Sequence, residues 1–539
     1  MVSWILGDSV LCLAFCGLSL DMSGKFDVME KWIPFLAKRL GKLREISSRD
    51  FTRRLATASF WSLAGAVGAR LILAGTWILL ARVLGTVKYG QLGMVQSTVN
   101  MFAAAAALGL GVTATKHVAE YRNRSPERAG RVLGLCLGLA VISSVAVGLA
   151  VFASAEWLAS DMLLAPELTV PLQVAAIALA LASIDSVQKA LLMGFGAFKS
   201  IAGLAIVAAL VAVPAILFGA IYFGVVGALV GMVVAAIIGR SFGLLLVFRQ
   251  AKQFDVKTQF FGCLAEKAIL WKFSLPSLMS SLIIPPLMWY ASALFARQPG
   301  GFEQLGIFTA AVVVRNLIVY AGSNASAPLL PMIAERAAGV SHKLEATNVI
   351  ISWAMGILMA IPVLCFPEVT VIAFGKDFSS EDFVLVQALT VVSACIIMYK
   401  HGLSRILIVR NMVWFGVASN VVWGAILVFA CHQLLPLGAL GLALAYLIAY
   451  VANSVLAVPF YFMLKVIPTG TIVSRYAAVV WLTLGGLVYF VDLNVSVVYR
   501  ALVCLLAFIA VGWAFAGMTK SALGDDGPLP KSPSFSLET

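Results

Sequence analysis

Three arginines lie inside long apolar stretches of the sequence. Arg70 is sixteen residues from Arg54 and twelve from Arg82, so at the ~1.5 Å rise of a helix it is about 18 to 24 Å from either basic flank. Arg315 is similarly deep, and Arg240 lies nearer the end of its stretch. A charged side chain at such depth costs ~2.5 to 3.5 kcal/mol on insertion scales, so it should face a wet or anionic interior instead of lipid.

Carboxylates that could neutralise these arginines are scarce within the apolar stretches. An excess of buried arginine creates a positive potential, and the planar guanidinium group binds phosphate through two parallel hydrogen bonds. We therefore predict an anion-binding cavity formed by Arg70, Arg315, Arg240 and Asn316. The alternative is that each arginine hydrogen-bonds helix ends or carbonyls and only fixes the packing. This alternative is strongest for Arg240.

Asp185 is the best placed internal carboxylate and precedes Lys189 by four residues. That spacing favours a local ion pair on a helix, and a role of Asp185 in proton or sodium coupling is the second interpretation. The four histidines lie near the predicted span ends without HExxH spacing, so we expect them to be solvated. No catalytic residue, metal site, phosphate loop or cofactor is predicted.

Pro285 and Pro286 are adjacent in the middle of an apolar stretch. A proline ring removes a backbone donor and clashes with the preceding turn, so the pair should kink or break its helix. We predict a hinge at this point.

The composition requires a membrane protein with many spans. Of the 539 residues, 61% are hydrophobic and only 12% are charged, which excludes an ordinary water-soluble surface. The net charge of +13 is not gathered on one soluble module, so nucleic acid is not an expected partner. The eight cysteines are scattered without disulfide or zinc spacing.

Fourteen apolar stretches approach the ~20 residues needed to cross a membrane. The predicted spans, numbered in order, are 55–81, 91–115, 130–154, 167–190, 200–222, 224–248, 269–296, 303–327, 346–374, 383–408, 412–432, 437–464, 473–491 and 496–518. We therefore predict an all-α polytopic membrane protein.

The distribution of basic residues orients these spans, because lysine and arginine collect on the cytoplasmic side. With the amino terminus inside, 30 of the 38 lysines and arginines lie in cytoplasmic segments and five lie in outer loops. Lys400, Arg405 and Arg410 are assigned here to the cytoplasmic end of span 10. Both termini are predicted to be cytoplasmic.

A weak internal repeat suggests two similar lobes. The QLG at Gln91 returns at Gln304, an offset of 213, and the glycine pair that begins at Gly224 returns at Gly438, an offset of 214. The predicted organisation is a cytoplasmic or interfacial arm (1–54), an N-lobe of six helices (55–248), a cytoplasmic linker (249–268), a C-lobe of six helices (269–464), two further helices (465–518) and a disordered cytoplasmic tail (519–539).

Several glycine-rich segments resemble a known family. They are ARVLG-x₃-YG from Ala81, LGLGVTATKHVAEYR, ALLMGFGAFKS and FGVVGALVGMVVAAIIG in the first half, and LGIFTAAVVVRNLI, AFGKDF and GALGLALAYLIAY in the second. Together they are similar to the polysaccharide-transporter branch of the multidrug/oligosaccharidyl-lipid/polysaccharide (MOP) exporter superfamily, which includes the O-antigen and exopolysaccharide repeat-unit flippases. The resemblance covers about residues 55–518.

The resemblance implies a flippase of the bacterial inner membrane that moves an undecaprenyl-pyrophosphate-linked oligosaccharide by alternating access. It implies that Arg70 and Arg315 hold the pyrophosphate while the lipid tail stays in the bilayer. Expected partners are this substrate, membrane lipids, and the polymerase and glycosyltransferases of the same pathway. The alternatives are a lipid II flippase, a drug/cation antiporter and, from another class, a membrane polymerase or ligase.

Overall fold

A computed structural model describes residues 49–267, 269–270, 278, 282–326, 342–410, 412–463, 474–489 and 496–524, with side chains from Gly68 onward. The predicted arm up to residue 48 and the predicted tail beyond residue 524 lie outside the described residues. The chain divides into two compact units, residues 1–61 and 62–539. All contacts given below lie within the second unit.

The secondary structure of the described residues is helical, without strands. In the first half the helices are α1 (Arg49–Ala106), α2 (Leu110–Tyr121), α3 (Pro126–Ala153), α4 (Thr169–Leu179), α5 (Ala182–Gly194) and α6 (Phe198–Gln253). In the second half they are α7 (Ile284–Ala296), α8 (Gly301–Ser326), α9 (His342–Cys365), α10 (Pro367–Phe374), α11 (Glu381–Val409), α12 (Val413–Leu434), α13 (Gly438–Met463), α14 (Arg475–Tyr489) and α15 (Val497–Gly524).

Single glycines turn the chain where two spans follow each other without a loop. α1 bends at Gly85 (φ 69°, ψ 174°) and α6 bends at Gly224 (φ 59°, ψ −137°), whereas Gly438 (φ 55°, ψ −132°) separates α12 from α13. A positive φ is readily adopted only by glycine, which explains why glycine occupies these turns.

The helix segments before and after each of these glycines count as separate spans, and with them the described part of the chain has the predicted number of fourteen. Within the described residues, nine segments are long and apolar enough to cross a membrane, and three of them contain one of these turns. The shorter apolar helices α7 and α14 complete the set of fourteen crossings. The prediction of an all-α polytopic membrane protein is confirmed.

The helices pack in two groups that follow the chain. α2 to α6 contact one another, and so do α7 to α13. The last two helices, α14 and α15, pack on α9, where Trp353 lies 5.2 Å from Trp481 and 5.5 Å from Phe515 between ring centroids. These groups agree with the two predicted lobes, whose boundaries stay a prediction.

The first half touches the second tightly near the Gly85 turn. A Cβ atom on Gly90 would overlap the carbonyl oxygen of Phe302, and one on Gly306 would overlap that of Thr86. Close by, Arg82 Nε donates a hydrogen bond of 2.6 Å to the carbonyl oxygen of Ala373 at the end of α10. α1 and α8 therefore meet backbone to backbone at this end.

The described part of the predicted linker is docked on α3. Glu266 is buried and accepts hydrogen bonds from Arg128 (3.0 Å) and Arg131 (3.5 Å). Cβ atoms on Gly130 and Gly134 would overlap backbone carbonyls of the linker. Small residues on α3 thus let the linker backbone lie directly against the helix.

Candidate functional site

Arg315 is the most deeply buried of the predicted arginines. It lies on α8 with 5% of its surface exposed, and its guanidinium carbon is 5.7 Å from the centre of the Tyr446 ring. Nη2 makes a long contact of 3.5 Å with Asn316 Oδ1, while Nε and Nη1 have no hydrogen-bond partner in the described part of the chain. A buried polar group without a partner costs ~1 to 3 kcal/mol, and a charged one costs more. An incoming anion would satisfy these donors.

Arg70 lies on the first arm of α1, which is the part before Gly85, and its side chain contacts α8, the helix that carries Arg315. Its guanidinium carbon is 4.9 Å from the centre of the Tyr320 ring on α8. The side chain is exposed, and no described residue forms an ion pair with it. The ring holds the guanidinium by a cation–π contact, which leaves its hydrogen-bond donors available.

The two arginines lie at matching depth. Arg70 precedes Gly85 by fifteen residues and Arg315 follows Gly301 by fourteen, so each is about 21 to 22 Å from the end where α1 and α8 meet. Side chains lean towards the start of their own helix, and the first arm of α1 runs opposite to α8, so the two side chains extend in opposite directions, that of Arg70 to Tyr320 and that of Arg315 to Tyr446. The structure therefore places the Cα atoms of Arg70 and Arg315 at similar depth, on two helices that touch.

Arg240 belongs to a different cluster. Its Nη1 lies 2.8 Å from Asp185 Oδ1, and its Nε donates to the carbonyl oxygen of Leu181 at 3.2 Å. Lys189 Nζ contacts the other Asp185 oxygen at 2.7 Å. The predicted local pair of Asp185 with Lys189 is present, and Arg240 joins it. Asp185 compensates the charge of Arg240, whereas Arg315 has no such partner among the described residues. A role of Arg240 in substrate binding therefore stays a prediction, and this geometry does not support it.

The break between α4 and α5 lies at this cluster. α4 ends at Leu179 and α5 begins at Ala182, and the carbonyl oxygen of Leu181 accepts a long hydrogen bond of 3.4 Å from Asp185 N. The carbonyl oxygen of Leu181 accepts from Arg240. Asp185 is therefore fixed between two cations, and its role in ion coupling stays a prediction.

The adjacent prolines lie in the first turn of a helix. α7 begins at Ile284, with Pro285 and Pro286 directly after it. This is where proline is tolerated, because the first amides of a helix have no intrahelical acceptor. Residues 271–277 and 279–281 lie outside the described residues, and a hinge at the prolines stays a prediction.

Two basic residues assigned to the cytoplasmic end of span 10 lie within the last ten residues of α11. Lys400 is half-buried nine residues before the helix ends, and Arg405 is buried with 9% exposure. The Arg405 guanidinium donates to Ser352 Oγ and Ser326 Oγ, both at 2.8 Å, and to Asn348 Oδ1 at 3.2 Å. The cytoplasmic location of this end of the helix stays a prediction, and the structure adds that polar side chains distant in sequence solvate both cations.

Two histidines also differ from the expected solvated state. His117 is buried on α2, 3.4 Å from Glu120. His401 lies on α11 with Nδ1 2.8 Å from Ser323 Oγ of α8. Neither ring contributes to a metal site, since no group of potential ligands is present among the described residues. The run Lys400, His401 and Arg405 on one span could have signalled a polar interior from the sequence.

A family model and a curated relative match parts of this chain. Residues 55–337, more than half of the chain, match the family model described as "polysaccharide biosynthesis protein". An uncharacterised membrane protein of Methanocaldococcus jannaschii is 28% identical over 225 residues, which are 39% of this chain and only 53% of that protein. The chain thus spans about half the length of this relative.

Solved structures share the fold at low sequence identity. The lipid II flippase MurJ, in an inward closed conformation, has a TM-score of 0.64 and 12% identity over 87% of this chain and 99% of its own. An inward-facing multidrug resistance MATE family transporter of the MOP superfamily has a TM-score of 0.59 and 15% identity over 76% and 98%. A MOP superfamily transporter from Pyrococcus furiosus, described by the reverse polarity of its binding pocket, has a TM-score of 0.56 and 16% identity over 77% and 95%.

Proposed function

This chain belongs to the polysaccharide biosynthesis protein family, and we propose on that basis that it is a flippase for a lipid-linked oligosaccharide. The observation that carries the proposal is Arg315, a buried guanidinium group with two nitrogens unpartnered among the described residues. The Cα atom of Arg70 lies at similar depth on a contacting helix, and its guanidinium group packs on Tyr320. Two guanidinium groups without a carboxylate partner among the described residues suit a diphosphate, which offers several acceptor oxygens to arginine.

The proposed substrate is an undecaprenyl-pyrophosphate-linked oligosaccharide. In this mechanism the pyrophosphate is held between Arg70 and Arg315, the sugars occupy the polar interior, and the polyprenyl tail stays in the bilayer. The two lobes then expose the site to one side of the membrane at a time. The protein acts as a secondary transporter without bond chemistry of its own. Asn316, exposed beside Arg315, is placed to hydrogen-bond a sugar or a phosphate oxygen.

The proposal includes a location and partners. The transporter lies in the bacterial inner membrane with both termini in the cytoplasm. Glycosyltransferases build the substrate on the cytoplasmic side, and a polymerase consumes it after release on the other side.

The test compares three variants in cells and in proteoliposomes. Arg70→Ala and Arg315→Ala should each lower export by at least ~10-fold, because removing one partner of a desolvated charge pair costs ~2 to 5 kcal/mol. Arg249→Ala, an exposed arginine near the end of α6, is the matched control and should export normally. Export is measured as surface polysaccharide at equal amounts of membrane-inserted protein.

Purified protein distinguishes between substrates. Proteoliposomes should flip undecaprenyl-pyrophosphate-linked oligosaccharide faster than lipid II or a cationic drug. Normal surface polysaccharide in both arginine variants would refute the anion site, and exclusive flipping of lipid II would replace the proposed substrate.

A further inference from the structure

α11 carries a cation that the Arg70 and Arg315 site does not use. Lys400 lies nine residues before Val409, about 13 Å inside the helix end. Its ammonium group donates to Asn453 Oδ1 and lies 5.9 Å from the centre of the Tyr450 ring. Both partners are neutral, and no carboxylate in the described part of the chain pairs with it. An ionised group within a membrane span without a counter-charge marks a functional site.

Lys400 faces a cavity of about 240 Å³ between α11, α12 and α13. Its lining combines aromatic rings and aliphatic side chains with amide and hydroxyl groups. The residues that matter are Lys400, Ser404, Asn420, Trp423, Tyr450 and Tyr461. The Trp423 Nε1 atom is buried and has no hydrogen-bond partner among the described residues. The cavity thus offers a cation, aromatic rings and neutral polar groups together.

The size of the cavity limits the ligand. Its volume of about 240 Å³ is smaller than the ~300 to 1,000 Å³ pockets that hold drug-sized ligands. A single six-membered ring with its substituents fits this volume.

The lining indicates the chemistry of that ring. The C–H face of a sugar packs on aromatic walls such as Trp423 and Tyr450, and its hydroxyl groups need donors and acceptors such as Asn420 and Ser404. The ammonium group of Lys400 adds a point charge for an anionic substituent. We propose that this cavity binds one acidic sugar, a ring bearing a carboxylate, of the transported oligosaccharide. This inference rests on the proposed function.

A row of aromatic rings connects this cavity with Arg315. Tyr446 lies 5.7 Å from the Arg315 guanidinium carbon, Trp423 lies 6.1 Å from Tyr446, and Tyr450 lies 5.3 Å from Trp423. The Lys400 ammonium group lies 5.9 Å from the Tyr450 ring. These four successive contacts set an upper limit on the distance between Lys400 and Arg315, the predicted pyrophosphate position. This separation suits a sugar a few units along a short oligosaccharide, with the diphosphate at Arg315.

The experiment uses proteoliposomes with the full-length chain and two probes. Both are polyprenyl-pyrophosphate-linked short oligosaccharides, one containing a glucuronic acid and the other a glucose at the same position. Lys400→Met should lower the flipping rate of the acidic probe by about tenfold and that of the neutral probe by less than about twofold, because only the acidic probe loses a charge partner. Lys400→Arg should keep part of the preference.

Two further variants separate charge from packing. Asn453→Asp places a carboxylate beside Lys400, so it should remove the preference for the acidic probe even if Lys400→Met does not fold. Lys252→Met, an exposed lysine near the end of α6, is the matched control and should change neither rate.

The outcomes discriminate between the two proposals. If Lys400→Met and Asn453→Asp lower the flipping rates of both probes equally, the sugar site is overturned in favour of a packing or ion-coupling role of Lys400. Unchanged rates for both probes in both variants would also overturn it. Failure of the wild-type protein to flip either probe would contradict the proposed function itself.

Discussion

At the scale of single residues, the interior cations differ in what compensates them. Arg240 has Asp185, and Arg405 has three neutral side-chain oxygens. Arg315 has one long contact, with Asn316. The sequence predicts the depth of Arg70 and Arg315, because depth follows from position within an apolar run, but it does not single out the buried Arg405. It does not predict their partners, since the side chains that compensate Arg405 lie 53 to 79 residues away.

Arg405 is expected to be a stabilising residue. Arg405→Lys retains the charge but loses the planar fork that reaches Asn348, Ser352 and Ser326 together. Each lost hydrogen bond to a charged group costs ~1.5 to 3 kcal/mol. The thermal unfolding midpoint in detergent should fall, while the flipping rate per folded molecule stays the same. An unchanged midpoint would contradict this role, and Arg249→Lys serves as the exposed control.

The Asp185 cluster gives a second test at this scale. Asp185→Asn leaves Arg240 in a half-buried position without its counter-charge. Because the pair is partly exposed, we expect a loss of about 1 to 3 kcal/mol in stability. The measurement is the unfolding midpoint together with the pH dependence of flipping. A flipping rate that becomes independent of pH would instead assign Asp185 to ion coupling.

At the scale of elements, the glycines that turn the chain support the repeat. Gly224 and Gly438, 214 residues apart, have nearly the same backbone angles. Gly85 (φ 69°) and Gly300 (φ 70°), 215 residues apart, form a second such pair. The sequence predicted the first pair because its neighbours repeat as well. It gave no indication of the second pair, which becomes apparent only from the backbone angles.

The contact between α1 and α8 depends on the absence of side chains. In Gly90→Ala the new Cβ would overlap the carbonyl oxygen of Phe302, so α8 must move away. Overpacking of this kind costs ~1 to 3 kcal/mol. We expect a lower unfolding midpoint and reduced export. Gly75→Ala, on the first arm of α1 with no atom within 4 Å of its Cβ, is the matched control. Equal behaviour of the two variants would show that the close contact is dispensable.

At the scale of the whole molecule, the number and nature of the crossings were predictable from hydropathy. The organisation of the described linker was not, because Glu266 and its two arginines are more than 130 residues apart in sequence. The cavity at Lys400 was also missed, since α11, α12 and α13 form it only when packed together.

The predicted orientation can be tested by cysteine labelling. In a variant without native cysteines, Ser379→Cys should react with an impermeant maleimide in intact cells, because it is exposed in a predicted outer loop. Lys257→Cys, exposed in the linker, should react only after the membrane is opened. The reverse pattern would invert the predicted topology.

The docked linker has a mechanical consequence. The linker segment that ends at Lys267 is fixed to α3 through Glu266 and the glycine contacts. It therefore has little free length that could extend when the second half moves. A displacement of the second half that moves Lys267 would exert a force on α3.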